Sequence, residues 1–210
     1  MGRKLAFDRN EALQKAMESF WENGYEATSM RALADALGLH LGSVYNALGN
    51  KEKVFEEALR LNIDTHVLPR LEAMENAKNP VAGIHEFLTN IAKDCTRTEN
   101  MPGCFILNSM QGITNINDDV TGLVRNHISR MEESFIICIE KAQAQGGIDQ
   151  KWSPEKLGAF LISTIFAMRI LGKLGLPGDS ALAVRDCAMQ TLLAPPPEKH
   201  SNENGSKKAV

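Results

Sequence analysis

Two short helical segments on either side of a glycine constrain the fold of this chain more than any other feature. In residues 28–37 the apolar side chains fall on one face of a helix, at Met30, Leu33, Ala34 and Leu37. Gly38 follows directly, as glycine often does where a helix ends. Residues 41–48 form the second segment, with Val44 and Leu48 four positions apart. Together the segments predict a helix-turn-helix, whose second helix enters the major groove of DNA.

The residues around this turn also occur in a characteristic order. They read Thr28-Ser29, Leu33-Ala34, Gly38, Gly42-Ser43-Val44-Tyr45 and Lys51-Glu52. This order resembles that of TetR/AcrR-type transcriptional regulators. Further upstream, the chain resembles the family's first helix at Phe7-Asp8, Ala16, Phe20 and Gly24-Tyr25. The resemblance is strong over about residues 2–60, and Pro102-Gly103-Cys104 resembles a motif of one branch of the family.

Composition and charge exclude several classes of protein. The 210 residues carry a net charge of −3, so the chain is not a generally basic nucleic-acid coat, although one positive face suffices for specific binding. The most apolar stretch, residues 157–170, is shorter than the roughly 20 residues of a membrane span. We expect no signal peptide, because the first residues are charged and no apolar run follows them. Four cysteines without a CxxC pair indicate neither a zinc site nor a disulfide framework. We expect a cytoplasmic protein without cofactor, metal or membrane association.

Helical spacing runs through the rest of the chain, and strand signals are absent. Asp8, Asn79-Pro80 and Ser153-Pro154 are typical helix starts, while Pro69 should end or kink the fourth helix. We predict an all-α protein of about nine helices. The resemblance implies a three-helix DNA-binding domain over residues 1–50 and a helical ligand-binding and dimerisation domain over 51–194. The latter opens with a linker helix at 51–69, and residues 195–210 form a polar tail that should be disordered.

The resemblance implies DNA-binding roles for nine residues. They are Thr28, Ser29, Arg31, His40, Leu41, Ser43, Tyr45, Asn46 and Lys51. We expect Thr28 to cap the second helix and touch phosphate, and Tyr45 and Lys51 to contact phosphates, which set register without reading sequence. Asn46 can pair with adenine from the chain's third helix, the recognition helix. At the start of that helix His40 stands where the family usually has Ser or Thr. Capping, packing between helices or a solvated surface position are the alternatives for these side chains.

Two helices near the end of the chain predict a homodimer. Residues 157–168 contain no charge, and apolar residues occupy two sides of that helix, which must then be buried on two sides. A twofold four-helix interface is what the resemblance implies. Its predicted residues are Phe160, Thr164, Met168, Ala181, Val184, Ala188 and Leu192. A helix fully internal to a monomer is the alternative.

A small-molecule effector site is expected among the central helices. Its candidate lining residues are Phe87, Cys104, Phe105, Met110, His127, Met131, Phe135 and Phe166. Aromatic and methionine side chains at helical spacing are also typical of ordinary core packing, which is the alternative for each. Cys104 follows Pro102-Gly103 at a predicted helix start, where a thiolate is favoured. A small buried hydrophobic residue is the alternative for this cysteine.

These features favour a ligand-responsive repressor that binds a palindromic double-stranded DNA operator as a dimer. Reversible binding of an effector and covalent modification of Cys104 by an electrophile or oxidant are competing mechanisms of release. An all-helical enzyme is the remaining possibility. It lacks support because the five histidines are scattered, and neither a His-x-x-x-His pair nor a glycine-rich phosphate loop occurs.

Overall fold

The computed structural model describes residues 8–96, 104–110, 118–175 and 178–193. Within these ranges the chain forms helices and no strand. In chain order they are α1 (Arg9–Asn23), α2 (Met30–Leu37), α3 (Leu41–Leu48), α4 (Lys51–Asn62), a π-helical turn (Ile63–Val67), α5 (Leu68–Glu75), α6 (Pro80–Thr96), α7 (Phe105–Met110), α8 (Asp118–Ala144), α9 (Pro154–Lys173) and α10 (Gly178–Leu193). Because α4, the π turn and α5 follow one another without a break and count as one helix, the described residues give nine helices, which confirms the predicted all-α fold.

Local sequence signals set the ends of the first helices. The Asp8 carboxylate caps α1 by accepting from the Asn10 amide at 2.8 Å. Gly24, with φ at +80°, ends that helix. Gly38 adopts the left-handed conformation, φ +65°, that few other residues tolerate, and so closes α2 before the turn into α3. The helix-turn-helix predicted from residues 28–48 is therefore present.

A π turn interrupts the long helix just before Pro69. Proline has no N–H and its ring crowds the carbonyl four residues earlier, which here belongs to Thr65. The π turn accommodates it, since the Leu68 amide donates to the carbonyl of Ile63 five residues back. Pro69 therefore does not end the helix, which continues to Glu75, six residues beyond the predicted end of the linker at 69.

Two clusters of buried side chains hold the helices together. The head core joins α1 to α4 with the start of α7 and of α8, and α7 contributes the buried Phe105 and Ile106. The C-terminal core joins α5, α6, α8, α9 and α10. Packing is thus continuous across residue 50, because Val54, Phe55 and Leu59 of α4 belong to the head core.

Several expectations fall on residues outside the described ranges. The predicted disordered tail at 195–210 and the motif residues Pro102 and Gly103 are among them. The side chain of Met110, at the end of α7, also lies outside the described part. None of the described helices combines the length and the apolar character needed to cross a membrane.

Candidate functional site

The α3 helix presents a polar and partly apolar face to solvent. Val44 and Leu48 are buried in the head core and fix the rotation of the helix. Tyr45 therefore points outward and is 47% exposed, with Leu41 at 37%. The structure leaves seven of the nine predicted DNA-binding residues exposed: Ser29, Arg31, His40, Leu41, Ser43, Tyr45 and Asn46. We call this surface, which includes Ser29 and Arg31 beside the residues of α3, the α3 face.

Thr28 does not belong to this surface, and its predicted role is wrong. Its side chain is 1% exposed, and the hydroxyl donates to the Gly24 carbonyl at 2.7 Å. Ser29 caps α2 instead, accepting from the Ala32 amide at 3.0 Å. Neighbouring hydroxyl residues both suit a cap, and the buried position of Thr28 assigns that role to Ser29.

Lys51 lies at the start of α4, tied to the loop that precedes α2. Its ammonium group is 4.3 Å from the centre of the Tyr25 ring, a cation–π contact. The same group lies 3.4 Å from the Glu26 carbonyl oxygen. Its positive charge is thereby held beside the start of α2, in the part of the fold that surrounds the head core. A phosphate contact from Lys51 stays a prediction.

The start of α3 has no side-chain cap. His40 occupies the cap position, and its imidazole makes no capping hydrogen bond. The His40 carbonyl accepts from the amides of Ser43 and Val44 at 2.8 and 3.2 Å. The first amides of α3 are consequently uncapped by a side chain, and the positive end of the helix dipole faces the surface. A DNA phosphate can satisfy such amides.

A cavity of about 60 Å³ lies between the π turn and α5 on one side and α6, α7, α8 and α9 on the other. Five of the predicted effector residues line it: Phe87, Cys104, His127, Met131 and Phe166. The structure adds eight residues that sequence reasoning missed: His66, Val67, Arg70, Ile91, Ile106, Ile128, Ile165 and Arg169. Their positions along the chain gave no local signal, because only tertiary packing brings these helices together.

Two predicted effector residues are core residues instead. Phe105 is buried in the head core, where its ring lies 5.8 Å from that of Phe55 and 6.1 Å from that of Trp21. Phe135 is buried in the C-terminal core, edge-on to Phe87 at 5.4 Å. Both rings fill interior space between helices, so neither lines the cavity.

One wall of the cavity is charged. Asp94 accepts through the same carboxylate oxygen from Arg70 at 2.6 Å and from Arg169 at 3.2 Å. His127, which also lines the cavity, is 6% exposed, and burial lowers its pKa to about 4. The imidazole is therefore neutral at pH 7. Its Nδ1 has no hydrogen-bond partner among the residues that the structure describes.

The predicted dimer residues divide into buried and exposed sets. Within one protomer the structure buries Thr164, Met168, Ala181, Ala188 and Leu192, and half-buries Val184. Side chains already covered by their own chain offer little area to a partner, so these five are corrected to core residues. Phe160 is exposed. Larger aliphatic side chains that are also exposed on or just after α9 and at the end of α10 are Ile170, Leu174 and Leu193.

No metal centre is found in the described ranges, where no group of three His, Cys, Asp or Glu side chains gathers at ligand distance. The four thiols are free, with Cys138 buried, Cys187 exposed and the other two half-buried. Burial raises the pKa of the Cys138 thiol to about 11, so this cysteine is inert as a nucleophile.

Comparison with known proteins agrees with this arrangement. Residues 12–58 match the model of bacterial regulatory proteins of the tetR family, and residues 80–185 match that of the tetracyclin repressor-like C-terminal domain. The chain is 29% identical over 175 residues to the HTH-type transcriptional repressor ComR of Escherichia coli K12, covering 83% of each protein.

Solved structures share the fold. A cysteine variant of the TetR-family regulator CifR, bound to a 26-base-pair operator duplex, superposes with a TM-score of 0.79 at 27% identity, covering 91% of this chain and 100% of CifR. Escherichia coli NemR in its reduced form has a TM-score of 0.80 at 11% identity over 89% of this chain and 97% of NemR, a likeness of fold alone. With its α3 face, its two cores and both family matches, this chain belongs to the tetR family of bacterial regulatory proteins and is a DNA-binding transcriptional regulator.

Proposed function

We propose that this regulator is a repressor that binds a palindromic operator as a homodimer and leaves it when a small effector occupies the cavity. The α3 face carries the proposal. On a helix of eight residues, two buried anchors leave Leu41, Tyr45 and Asn46 exposed together. The name of ComR as a repressor and the operator complex of CifR support the same role for this chain.

Each residue type on the α3 face suits a different contact. The Tyr45 hydroxyl can donate to a phosphate, and Arg31 on α2 adds a positive charge. The amide of Asn46 can pair with adenine through two hydrogen bonds, and Leu41 can pack against a thymine methyl group. The operator would then be read from few bases per head, with phosphate contacts fixing the register.

The exposed side of α9 and α10 is the proposed dimer interface. Phe160, Ile170 and Leu174 are exposed and lie along one stripe of α9 and its extension, with Leu193 exposed at the end of α10. An apolar stripe of this kind is typical of a face that a second copy covers. A twofold axis through it would place two heads on two half-sites, so the operator should be palindromic.

Two structural connections support release by a ligand in the cavity. His66 of the π turn lines the cavity, and its ring lies 6.3 Å from that of Trp21 on α1. The second connection is at the start of α7. Cys104 and Ile106 line the cavity there, while Phe105 between them packs in the head core. A ligand that displaces either element moves groups packed against the head. Release requires that the effector bind the free form more tightly than the DNA-bound form.

Covalent sensing at Cys104 is the second candidate mechanism. Cys104 is half-buried and lines the cavity, so a small electrophile or oxidant that enters can reach its sulfur. The related regulator CifR also contains cysteines, which were replaced in the variant bound to its operator. Replacing Cys104 by Ser separates the mechanisms, since induction that survives this change excludes the thiol route.

The test of DNA recognition uses an operator selected from a random-sequence duplex library by the full-length protein. Fluorescence anisotropy then compares the wild type with Tyr45→Ala at several salt concentrations. Loss of one phosphate contact should weaken specific binding about tenfold. Trp152→Ala is the matched control, because Trp152 is equally exposed at 47% but lies far from α3 in the chain, before α9. Equal binding by both variants and the wild type would refute the role of the α3 face.

A further inference from the structure

We propose that the cavity binds a small, mostly apolar compound with one carboxylate, held by Arg169 and Arg70 at the charged wall and by the apolar side chains at the other walls. The inference rests on the proposed function of this cavity as the effector site and names the chemical class of its ligand.

The charged wall of the cavity carries a net positive charge. Arg70 of α5 and Arg169 of α9 share one carboxylate, Asp94 of α6, and both contact the same oxygen atom. Two guanidinium groups and one carboxylate leave one formal positive charge. The Arg169 side chain is only 13% exposed, so water screens its charge poorly. A carboxylate matches the planar guanidinium group and supplies the single negative charge that is missing.

A second polar group faces the cavity without a partner. The Nδ1 atom of His127 is buried, and none of the described residues hydrogen-bonds to it. A buried polar atom in this condition destabilises a protein unless a ligand or water satisfies it. A neutral imidazole can donate or accept one hydrogen bond. The second oxygen of a bound carboxylate, or a hydroxyl group on the same ligand, is a suitable partner.

The remaining walls select the body of the ligand. Phe87, Ile128, Met131, Ile165 and Phe166 contribute apolar surface. The open space of about 60 Å³ suits a short hydrocarbon chain. A ring, which needs a cavity of about 150 Å³, should bind only weakly. A phosphate ester carries close to two negative charges, which exceeds the one net positive charge of this wall. The geometry therefore favours a monocarboxylate over a phosphorylated compound.

The test measures binding of defined probes to the full-length protein by isothermal titration calorimetry. The probes are the unbranched carboxylates from acetate to octanoate, together with benzoate and phenylacetate. Each has its uncharged amide as the matched control compound. Affinity should rise about fourfold per methylene until the cavity is filled. Each amide should bind at least about tenfold more weakly than its acid, because it lacks the charge.

Arg169→Gln and Arg70→Gln should each weaken carboxylate binding about tenfold and leave amide binding unchanged. Arg70→Gln keeps the test valid if Arg169→Gln fails to fold, because the Arg70 side chain is 38% exposed. Arg185→Gln is the matched control, since Arg185 pairs with its neighbour Asp186 and does not line the cavity. Equal binding of acids and amides, or no binding of any acid, would overturn the proposal.

The same probes distinguish this inference from the proposed function. Carboxylates that bind and release the operator support both. Operator binding that no carboxylate affects overturns the ligand class and leaves the DNA-binding role intact. Carboxylate binding by a chain that selects no operator supports the ligand class and overturns the proposed repressor.

Discussion

Replacing Phe105 by alanine should loosen the head while the C-terminal core stays packed. Phe105 comes from α7, yet its buried ring packs in the head core, against Phe55 of α4 and Trp21 of α1. Phe135→Ala is the matched control. That ring is also fully buried and has one edge-on aromatic neighbour, Phe87, but it lies in the C-terminal core.

The two substitutions should lower the free energy of unfolding by similar amounts, each through a different core. Removing a buried phenylalanine ring lowers the free energy of unfolding by about 3–5 kcal/mol. A domain's total stability is about 5–15 kcal/mol, so the variants should fold while being strongly weakened. A loss of about 3 kcal/mol in one core raises the exchange rate of its amide hydrogens by about two orders of magnitude.

Native-state hydrogen exchange with mass spectrometry measures this on the full chain. Phe105→Ala should lower protection in α1 and α4, and Phe135→Ala should lower it in α6 and α8. If both variants lost protection in the same helices to the same extent, the head core and the C-terminal core would be one cooperative unit. Phe105 of α7 would then not be a separate connection to the head core.

Three further predictions follow from single contacts. Ser29→Ala should lower the free energy of unfolding by about 1 kcal/mol in urea, because α2 loses its cap. His127→Gln should reduce the decrease in the free energy of unfolding that the wild type shows at acid pH. The pKa of His127 is about 4 in the folded chain and 6.5 ordinarily, so the unfolded chain takes up the proton first. Stability is lost as pH falls from 6.5 to 4, by up to about 3 kcal/mol. Ile170→Glu should turn a dimer into a monomer in analytical ultracentrifugation, because it charges the exposed stripe of α9.

Each of these has a control at a position that is matched but unconnected. Ser43→Ala removes an exposed hydroxyl that caps no helix, and an equal loss there would contradict the cap. His85→Gln removes an exposed histidine of α6 and should leave the pH dependence unchanged. Trp152→Glu charges an equally exposed residue outside the stripe, and dissociation by it would contradict the proposed interface.

Local chemistry accounts for the features that sequence alone could predict. The spacing of Val44 and Leu48 decides which side of α3 is buried, and therefore which side Tyr45 occupies. Asp8 and Gly38 act on their own helix ends, through hydrogen bonds and a left-handed backbone. Contacts within a few residues of each other are visible in the order of the chain.

Features made by distant residues were not predictable in the same way. Arg169 and Asp94 are 75 positions apart, and Arg70 joins them from a third helix. The uncharged residues of α9 indicated that two sides are covered, but not which side faces the protomer's own core. The structure assigns Met168 to that core and leaves Ile170 outside. Only the packing of whole helices decides such choices.

The π turn sets the rotation of α4, which packs in the head core, relative to α5, which packs in the C-terminal core. Residues in an α-helix advance about 100° each around the axis. In an uninterrupted α-helix, Phe55 of the head core and Met74 of the C-terminal core, nineteen positions apart, would point about 100° away from each other. A π turn accommodates one extra residue, so the effective separation is eighteen positions, or five whole turns, and this geometry directs both side chains the same way. Deleting one residue inside Ile63–Val67 should preserve this alignment, whereas a deletion within α4 should rotate the head by about 100° relative to the rest of the protein.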